Sequence, residues 1–238
     1  MTAWQTDLLT ALNTLDCEKA VFARIMEAVR QLGFEHCAFG LRAPWPLQAP
    51  ETVLINSYPD AWRVRYQEAG YLAYDPTIRH GLSSTAPLLW CDEVFAKTPM
   101  LWADAQAAGL CVGWAQSSLE PCGIGSLLTL VRSAEHLTET ELRAHESQMR
   151  WLVQIAHLYL SRLLMPQLMT DPAVPLLIAR EIDILKWTGD GKTAEEIAVI
   201  LKISVHTVHH YIKQAVAKLG AANKTAAVVR AMAMGLLR

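Results

Sequence analysis

Residues 191–219 read GKTAEEIAVILKISVHTVHHYIKQAVAKL, and this stretch predicts two short helices joined by a tight polar turn. Thr193 and Glu196 have the spacing of a capping box, in which each side chain accepts a hydrogen bond from a backbone N–H that the helix leaves free. Residues 202–203 are expected to form the turn. Ser204 is then expected to cap the second helix, because its hydroxyl accepts a hydrogen bond from a first-turn N–H.

Each of the two predicted helices has one apolar face. Apolar residues recur at helical spacing, at Ala194, Ile197, Ala198 and Leu201 in the first helix and at Val208, Ile212, Ala215 and Leu219 in the second. Histidine, lysine and threonine side chains remain on the other sides of the second helix. This arrangement is typical of a helix-turn-helix that enters the major groove of DNA. The same periodicity is equally compatible with a helical hairpin whose polar face only meets water.

The charge distribution favours the DNA-binding interpretation. The net charge is −2, but residues 1–175 carry 12 Lys and Arg against 18 Asp and Glu, whereas residues 176–238 carry 9 against 5. A basic end attached to an acidic body suits attraction to a phosphate backbone. The chain has no apolar run of about 18 residues and no secretory pattern at its start, so a cytoplasmic protein is expected.

The cysteines and histidines predict neither a metal site nor an enzyme. The five cysteines form no C-x-x-C pair and are expected to be reduced core residues, at Cys17, Cys37, Cys91, Cys111 and Cys122. His206 and His210 stand four residues apart, as zinc-binding pairs can, but no third ligand lies near them in the sequence. The other histidines are scattered and pair with no visible nucleophile or base.

The N-terminal part alternates helical and extended patterns. Two helical patterns lie within residues 4–31, and further helices are predicted at residues 58–66, 77–82, 99–108 and 138–165. Extended patterns lie at residues 34–42, 52–57, 87–90, 111–119 and 123–133. Neighbouring strands with helices outside them predict an antiparallel sheet. The expected fold class is α+β, with an N-terminal α/β/α sandwich around that sheet and a C-terminal all-α four-helix helix-turn-helix domain.

A proline-rich stretch separates the two predicted domains. Residues 166–175, PQLMTDPAVP, have no periodicity and are interpreted as a linker. The predicted domains are residues 1–165 and 176–238, and the helix-turn-helix motif occupies about residues 193–212.

Aromatic residues and one aspartate suggest a pocket for an amphiphilic small molecule. Tyr58, Trp62 and Tyr66 are spaced by four on the predicted helix, and Asp75 follows soon after. Trp N–H and Tyr O–H groups donate to carbonyl oxygens, and a carboxylate accepts from an amide N–H, which fits a ligand with an amide and a ring carbonyl. Aromatics at helical spacing are also common in protein cores, and an aspartate before a proline is commonly a helix cap.

With these motifs in place, the chain resembles the LuxR-type quorum-sensing regulators, which bind N-acyl-homoserine lactones through an N-terminal domain and DNA through a C-terminal one. The resemblance covers nearly the whole chain. The motifs that carry it are YPDAWRVRY (58–66), YDPTIRHG (74–81), PLLW (87–90), WADAQAAGLCVGW (102–114), LTLVRS (128–133) and the block AREIDILKW…GKTAEEIAVILKIS…TV (179–208).

The resemblance implies a set of ligand-binding residues. Trp62 is expected to donate to the lactone carbonyl, Asp75 to accept from the amide N–H, and Tyr58 to donate to the amide carbonyl. Tyr66, Trp90 and Trp102 would wall the lactone, with the Thr129 hydroxyl near the polar head. The acyl chain would meet Ile78, Leu82 and Leu110, with Leu54, Gly125 and Leu127 as weaker candidates. Gly113 matches a recurring glycine of the family and needs no ligand role. No cofactor or metal is implied.

The resemblance also implies a homodimer that binds palindromic promoter DNA, with two recognition helices about one helical turn apart. The residues expected at the DNA are Lys192, Thr193, Lys202, Ser204, His206, Thr207, His209, His210, Lys213 and Lys224. The last helix, predicted at residues 225–237, would support dimerisation of the DNA-binding domains. The proposed mechanism is allosteric, because the ligand stabilises the N-terminal domain and its dimer.

Three departures from the family pattern alter the expectations. Ala38 lies where some relatives have a serine, which weakens the case for recognition of a 3-oxo group. Ile178 lies where a Ser or Thr cap is usual, and three histidines replace residues that are often Arg, Lys or Phe in relatives. The alternatives are a regulator of this type that responds to another small ligand or to none, a response regulator, and a lactone-hydrolysing enzyme.

Overall fold

The computed structural model describes residues 3–46, 48, 50–120, 123–168 and 177–237. These residues divide into two compact units. The first comprises residues 3–43, 51–120 and 125–168, and the second is built chiefly from residues 177–237. None of the described helices is long and apolar enough to cross a membrane.

A five-stranded antiparallel sheet forms the centre of the first unit. Its strands in chain order are β1 His36–Arg42, β2 Thr52–Asn56, β3 Leu88–Leu89, β4 Val112–Leu119 and β5 Gly125–Arg132. Their order across the sheet is β2-β1-β5-β4-β3, so β5 is the central strand. The sheet with helices packed on it confirms the predicted α+β fold class.

Seven α-helices accompany this sheet among the described residues. They are α1 Ala3–Leu12, α2 Glu18–Gln31, α3 Asp60–Glu68, α4 Pro76–Gly81, α5 Asp92–Phe95, α6 Pro99–Ala107 and α7 Glu139–Leu168. The short helix α5 and a 3-10 helix at Tyr71–Ala73 carry no sequence pattern long enough to predict them.

One face of the sheet carries a group of large buried side chains, whereas the other mixes small and large ones. Because successive strand residues point to opposite faces, large buried residues collect on the face that meets α7, namely Phe39, Trp114, Leu128 and Leu130. Hydrogen bonds from Ser118 to Gln154 and between Ser126 and His157 identify this face, since both partners lie on α7. The opposite face carries the small side chains of Ala38, Gly40, Gly113 and Ala115 together with the larger Leu127, Thr129 and Val131. Leu54 covers Gly40 on this face, and the Trp90 ring covers Gly113.

Two predicted helix limits in this unit are wrong. Tyr58 does not share a helix with Trp62 and Tyr66, because α3 begins only at Asp60 after the N-cap Pro59. A residue before proline is driven towards extended backbone, so Tyr58 continues the path of β2 instead. At the other end, α7 does not stop near residue 165 but passes through Pro166 to Leu168, whose buried side chain holds the final turn.

The first three residues of the predicted linker are therefore helical. The rest of that linker, residues 169–175, lies outside the described residues.

The second unit contains four helices, α8 Ala179–Gly189, α9 Ala194–Leu201, α10 Val205–Lys218 and α11 Lys224–Ala233. The predicted capping box is confirmed, since the Thr193 N–H donates to Glu196 Oε2 at 2.8 Å and the Glu196 N–H donates to Thr193 Oγ1 at 3.2 Å. Lys202 makes the turn with a φ of +54°. Ser204 caps α10 by accepting from the Thr207 N–H at 3.0 Å.

The ends of the other two helices of this unit differ in detail. The last helix stops at Ala233 rather than near residue 237, because Gly235 takes a φ of +70° and ends it. At the start of α8, Ile178 offers no side-chain acceptor, as its identity predicts. Its N–H instead donates to Glu181 Oε2 at 2.9 Å, and the buried Glu181 carboxylate also accepts from Lys218 Nζ at 2.8 Å.

Candidate functional site

Asp75 is both a helix cap and a member of a partly buried hydrogen-bond network. Its Oδ1 accepts from the backbone N–H of Thr77 at 2.8 Å and from the Thr77 hydroxyl at 2.7 Å, which starts α4. Its Oδ2 accepts from Tyr66 Oη at 2.9 Å. Burial raises the pKa of Asp75, while these hydrogen bonds act against the rise. A carboxylate oxygen can accept more than one hydrogen bond, so Asp75 has capacity for a further donor.

Trp62 and Tyr66 lie in an aromatic cluster beside this network. Trp62 is 5% exposed, and its ring lies 5.6 Å from that of Tyr66. Tyr71 stacks against Trp62 with 6.1 Å between ring centroids and meets Tyr66 at 5.8 Å. Tyr58 packs against the same cluster from the segment after β2, and burial raises the pKa of its hydroxyl. The hydroxyl therefore stays protonated and can donate a hydrogen bond.

Two potential donors in this cluster have no protein partner. Among the described residues, neither Trp62 Nε1 nor Tyr58 Oη makes a hydrogen bond. A carbonyl oxygen of a ligand could accept a hydrogen bond from either group.

Trp90 and Trp102 extend the same cluster towards the sheet. Trp90 lies against Gly113 of β4, and its backbone N–H donates to the Gly113 carbonyl at 2.8 Å. Trp102 stacks on Phe95 at 4.6 Å, and its Nε1 donates to Asp92 Oδ1 at 2.7 Å. Trp102 thus offers a ring surface rather than a free donor.

The remaining predicted ligand residues differ in position and in exposure. Leu110 is fully buried within the cluster. Thr129 pairs with Ala38 on one side and Ala115 on the other, on the sheet face opposite α7. Ile78 on α4 is half-buried, and Leu127 packs against Gly81. Leu54, which contacts Gly40, has 42% of its surface exposed, and Leu82 has 46% exposed. Gly125 lies beside Leu119 at the hairpin end of β5.

Sequence reasoning missed a polar clamp behind the aromatic cluster. Asp104 Oδ2 on α6 accepts from Tyr71 Oη at 2.5 Å and from Arg65 Nε at 2.6 Å. These hydrogen bonds lower the pKa of Asp104. The clamp joins α3, the 3-10 helix and α6, whose residues are distant along the chain, so no local spacing signals it.

The candidate DNA-binding residues lie on and around α10. His206, His209 and His210 are exposed, as are Lys202, Lys213 and Lys224, while Thr207 is half-buried. Thr193 and Ser204 are engaged as helix caps, and Lys192 pairs with Glu196 at 3.3 Å. Glu195 of α9 lies close enough to His209 for the two to interact electrostatically. A row of exposed histidine and lysine side chains therefore flanks the second helix of the helix-turn-helix.

Comparison with known proteins agrees with both units. The family model described as "Autoinducer binding domain" matches residues 18–160, and the one described as "Bacterial regulatory proteins, luxR family" matches residues 175–231. The transcriptional activator protein SolR of Ralstonia nicotianae is 41% identical over 231 residues, which are 97% of this chain and 98% of SolR.

Solved structures of two relatives have the same architecture. The crystal structure of Escherichia coli SdiA superposes with a TM-score of 0.85 at 30% identity, over 99% of this chain and 98% of SdiA. SdiA in complex with octanoyl-rac-glycerol has a TM-score of 0.79 at 30% identity, over 99% of this chain and 95% of that one. CepR2 from Burkholderia cenocepacia, described as an N-acylhomoserine-lactone-dependent LuxR-family factor, has a TM-score of 0.63 at 30% identity over 68% of this chain and 95% of its own.

Proposed function

We propose, from the premise that this chain belongs to the LuxR family of bacterial transcriptional regulators, that its ligand is an N-acyl-homoserine lactone. The chain combines an autoinducer-binding domain with a LuxR-type DNA-binding domain, and its relatives are transcriptional regulators, quorum-sensing regulators among them, rather than enzymes. We also propose that the protein acts as a homodimer and that its DNA site is palindromic.

The observation that carries the ligand proposal is the match between the polar groups of the cluster and those of the lactone. Asp75 supplies a partly buried acceptor for an amide N–H, while Trp62 Nε1 and Tyr58 Oη supply two donors without a partner in the described chain. A lactone carbonyl and an amide carbonyl need two such donors. An acyl chain would lie along the sheet face of Ala38 and Gly40, where it would meet the Leu54 side chain that covers Gly40.

A second ligand class is favoured by one relative. SdiA is described in complex with octanoyl-rac-glycerol, which also combines an acyl chain with a compact oxygen-rich head. The glycerol ester has no amide N–H, so an Asp75 carboxylate would accept from a hydroxyl instead. We rank the lactone first because CepR2 is described as dependent on N-acylhomoserine lactones.

The proposed assembly is a homodimer that places two copies of α10 in successive major grooves of a palindromic site. Lysines at Lys192, Lys202, Lys213 and Lys224 would contact phosphates, while Ser204, His206, Thr207, His209 and His210 would face bases or phosphates. Met232 of α11 is 60% exposed, although it is a large apolar side chain. A second copy of α11 packed on it would remove that surface from water.

The division that follows from the sequence, residues 1–165, 166–175 and 176–238, is kept in our proposal except that the ligand-binding domain extends to residue 168. The family matches at residues 18–160 and 175–231 support it. Because α7 continues to Leu168, we place the start of the linker after that residue.

Substitution of Asp75 tests the ligand proposal. We expect Asp75→Asn to weaken lactone binding by about 10- to 100-fold, because the amide replaces a charged acceptor by a neutral one and hydrogen bonds to charged groups contribute about 1.5–3 kcal/mol. The measurement is expression of each variant with acyl-homoserine lactones of graded length and with octanoyl-rac-glycerol, followed by mass spectrometry of the ligand that co-purifies and by DNA-binding titration.

Asp60→Asn is the matched control, since Asp60 is an exposed carboxylate at the start of α3 that pairs only with Arg63 among the described residues. It should retain lactone as the wild type does. A full lactone response in Asp75→Asn would refute the assignment of Asp75, and co-purification of octanoyl-rac-glycerol alone would replace the lactone by an acylglycerol.

A further inference from the structure

The helices that cover the aromatic cluster form two halves. In the first half, Tyr66 of α3 donates to Asp75 Oδ2 at 2.9 Å and ties α3 to the start of α4. In the second half, Trp102 of α6 stacks on Phe95 of α5 at 4.6 Å and donates to Asp92 Oδ1 at 2.7 Å. The first half therefore comprises α3, the 3-10 helix and α4, and the second half comprises α5 and α6.

A seam between these halves is spanned at the surface by the Arg65–Asp104–Tyr71 clamp. Asp104 Oδ2 of α6 accepts from Arg65 Nε at 2.6 Å and from Tyr71 Oη at 2.5 Å. Within the described chain, no other hydrogen bond or ion pair joins residues 60–81 to residues 92–107. The hydrogen bonds from Tyr71 and Arg65 lower the pKa of Asp104, so its carboxylate stays charged at neutral pH.

Water reaches the polar groups of the clamp, because the Arg65 side chain is 45% exposed and that of Asp104 is 30% exposed. Beneath the clamp, the two halves meet through apolar side chains. Trp62 and Tyr71 of the first half share a buried cluster with Leu101 of the second. Apolar contacts have no fixed direction, so the acyl chain of an entering ligand can replace the contact of one half with the other.

The first half is built from short pieces that can move relative to the sheet. Helix α3 has nine residues and the 3-10 helix has three, and helices this short depend on packing for their stability. Between them, Gly70 has a φ of +63°, and a Cβ atom built on it would meet no atom within 4 Å. On the other side of the cluster, the sheet is a continuous ladder from β2 to β3. Opening the sheet breaks backbone hydrogen bonds, whereas opening the seam releases side chains that water can solvate.

We propose that the seam between the two halves is the route by which the ligand enters and leaves, and that Asp104 is the latch that holds it closed. This inference rests on the proposed function. Asp104 accepts from side chains of both α3 and the 3-10 helix, so its release frees both elements from α6. The ion pair between Asp104 and Arg65 lies outside the set of residues assigned to the ligand. It therefore controls the rate of ligand exchange rather than the affinity.

Exchange kinetics of the full-length protein test the latch. In Asp104→Asn, the amide oxygen still accepts from Tyr71, but the ion pair with Arg65 is lost. Association and dissociation of N-octanoyl-homoserine lactone should both become about 2- to 5-fold faster, the range of an exposed ion pair. The dissociation constant should change by less than about twofold, because the ion pair is present with and without ligand. Added salt should accelerate exchange more in the wild type than in Asp104→Asn, since salt screens the ion pair.

Asp60→Asn is the matched control, because the ion pair of Asp60 with Arg63 lies within α3 and does not cross the seam. Its exchange rates should equal those of the wild type. Unchanged rates in Asp104→Asn, or faster dissociation without faster association, would overturn the inference and leave the proposed function in place. Absence of saturable lactone binding to the wild type would overturn the proposed function.

Hydrogen–deuterium exchange of the full-length protein tests the latch without a ligand. Residues 60–73 should exchange faster in Asp104→Asn than in the wild type, while β4 and β5 keep their protection. Arg65→Gln removes the same ion pair from the other side and should give the same pattern. Equal exchange of residues 60–73 in the wild type and both variants, or a uniform acceleration that includes β4 and β5, would overturn the inference.

Discussion

At the scale of single residues, Gly113 shows how a missing side chain positions a functional one. Its φ is not in the left-handed region, so no backbone requirement for glycine exists there. The requirement is space, because the Trp90 ring occupies the volume of a Cβ atom on Gly113. A glycine with an ordinary backbone conformation can therefore determine where an indole lies.

We expect Gly113→Ala to lower the free energy of unfolding by about 1–3 kcal/mol, the usual effect of forcing extra atoms into a packed core. It should also weaken ligand binding, because Trp90 has to move away from β4. Urea unfolding and ligand titration measure the two effects. Gly125→Ala on β5 is the control, since its Cβ would meet only Leu119 Cδ2 at 3.1 Å, an atom at the end of a flexible side chain. Equal stability of Gly113→Ala and wild type would contradict this account.

At the scale of elements, three pieces of chain are held together behind the aromatic cluster. The Arg65–Asp104–Tyr71 clamp joins α3, α6 and the 3-10 helix, and the Tyr71 ring then packs on Trp62 and Tyr66. The hydroxyl of Tyr71 is thus tied to one side of the cluster while its ring supports the side assigned to the ligand. Loss of the hydroxyl frees the ring without creating a cavity.

We expect Tyr71→Phe to weaken lactone binding by about 3- to 10-fold, the range of one neutral hydrogen bond. Without its hydrogen bond to Asp104, the ring at position 71 is held less firmly and positions Trp62 less well. If Tyr71 acts through Trp62, Tyr71→Phe should weaken binding less than about twofold when Trp62 is already replaced by Phe. A double-mutant cycle of the two substitutions measures this coupling. Arg63→Gln, which breaks an exposed pair with Asp60 on the same helix, should leave affinity unchanged. Additive effects of Tyr71→Phe and Trp62→Phe would contradict a positioning role.

At the scale of the whole molecule, ligand and DNA responses are separated into two units of opposite charge. The DNA-binding unit is basic, and the exposed surface of α10 carries three histidines, His206, His209 and His210. Histidine is the side chain whose charge ordinarily changes between pH 5 and 8. Lys213 lies on the same helix, Lys202 in the turn before it, and Glu195 faces His209 from α9 with a lowered pKa, so that carboxylate stays charged throughout this range.

We expect DNA affinity to rise as the pH falls from 8 to 6, because protonated imidazoles add positive charge towards the phosphates. The slope of log affinity against log salt should become steeper by about 0.9 for each histidine that gains a phosphate contact. Fluorescence anisotropy on one operator at matched salt measures both quantities. Replacing the three histidines by glutamine should remove the pH dependence, and identical wild-type affinity at pH 6 and pH 8 would refute the prediction.

The sequence by itself determined the elements that depend on neighbours along the chain. The capping box of Thr193 and Glu196, the cap at Ser204 and the amphipathic faces of α9 and α10 are interactions over three or four residues, so spacing alone predicts them. The same holds for the cap at Asp75. Resemblance to a family added the ligand and DNA residues, which periodicity could not distinguish from core or solvated surface.

Only the tertiary structure decided what lies next to what across the first unit. The start of α3 at Asp60 removed Tyr58 from the helix face, and packing of Leu168 carried α7 through a proline. The clamp at Asp104 and the indole of Trp90 over Gly113 join residues more than twenty positions apart. Such contacts depend on how the sheet brings distant segments together and on which polar atoms the packing leaves without a partner. Neither can be read from the spacing of residues along the chain.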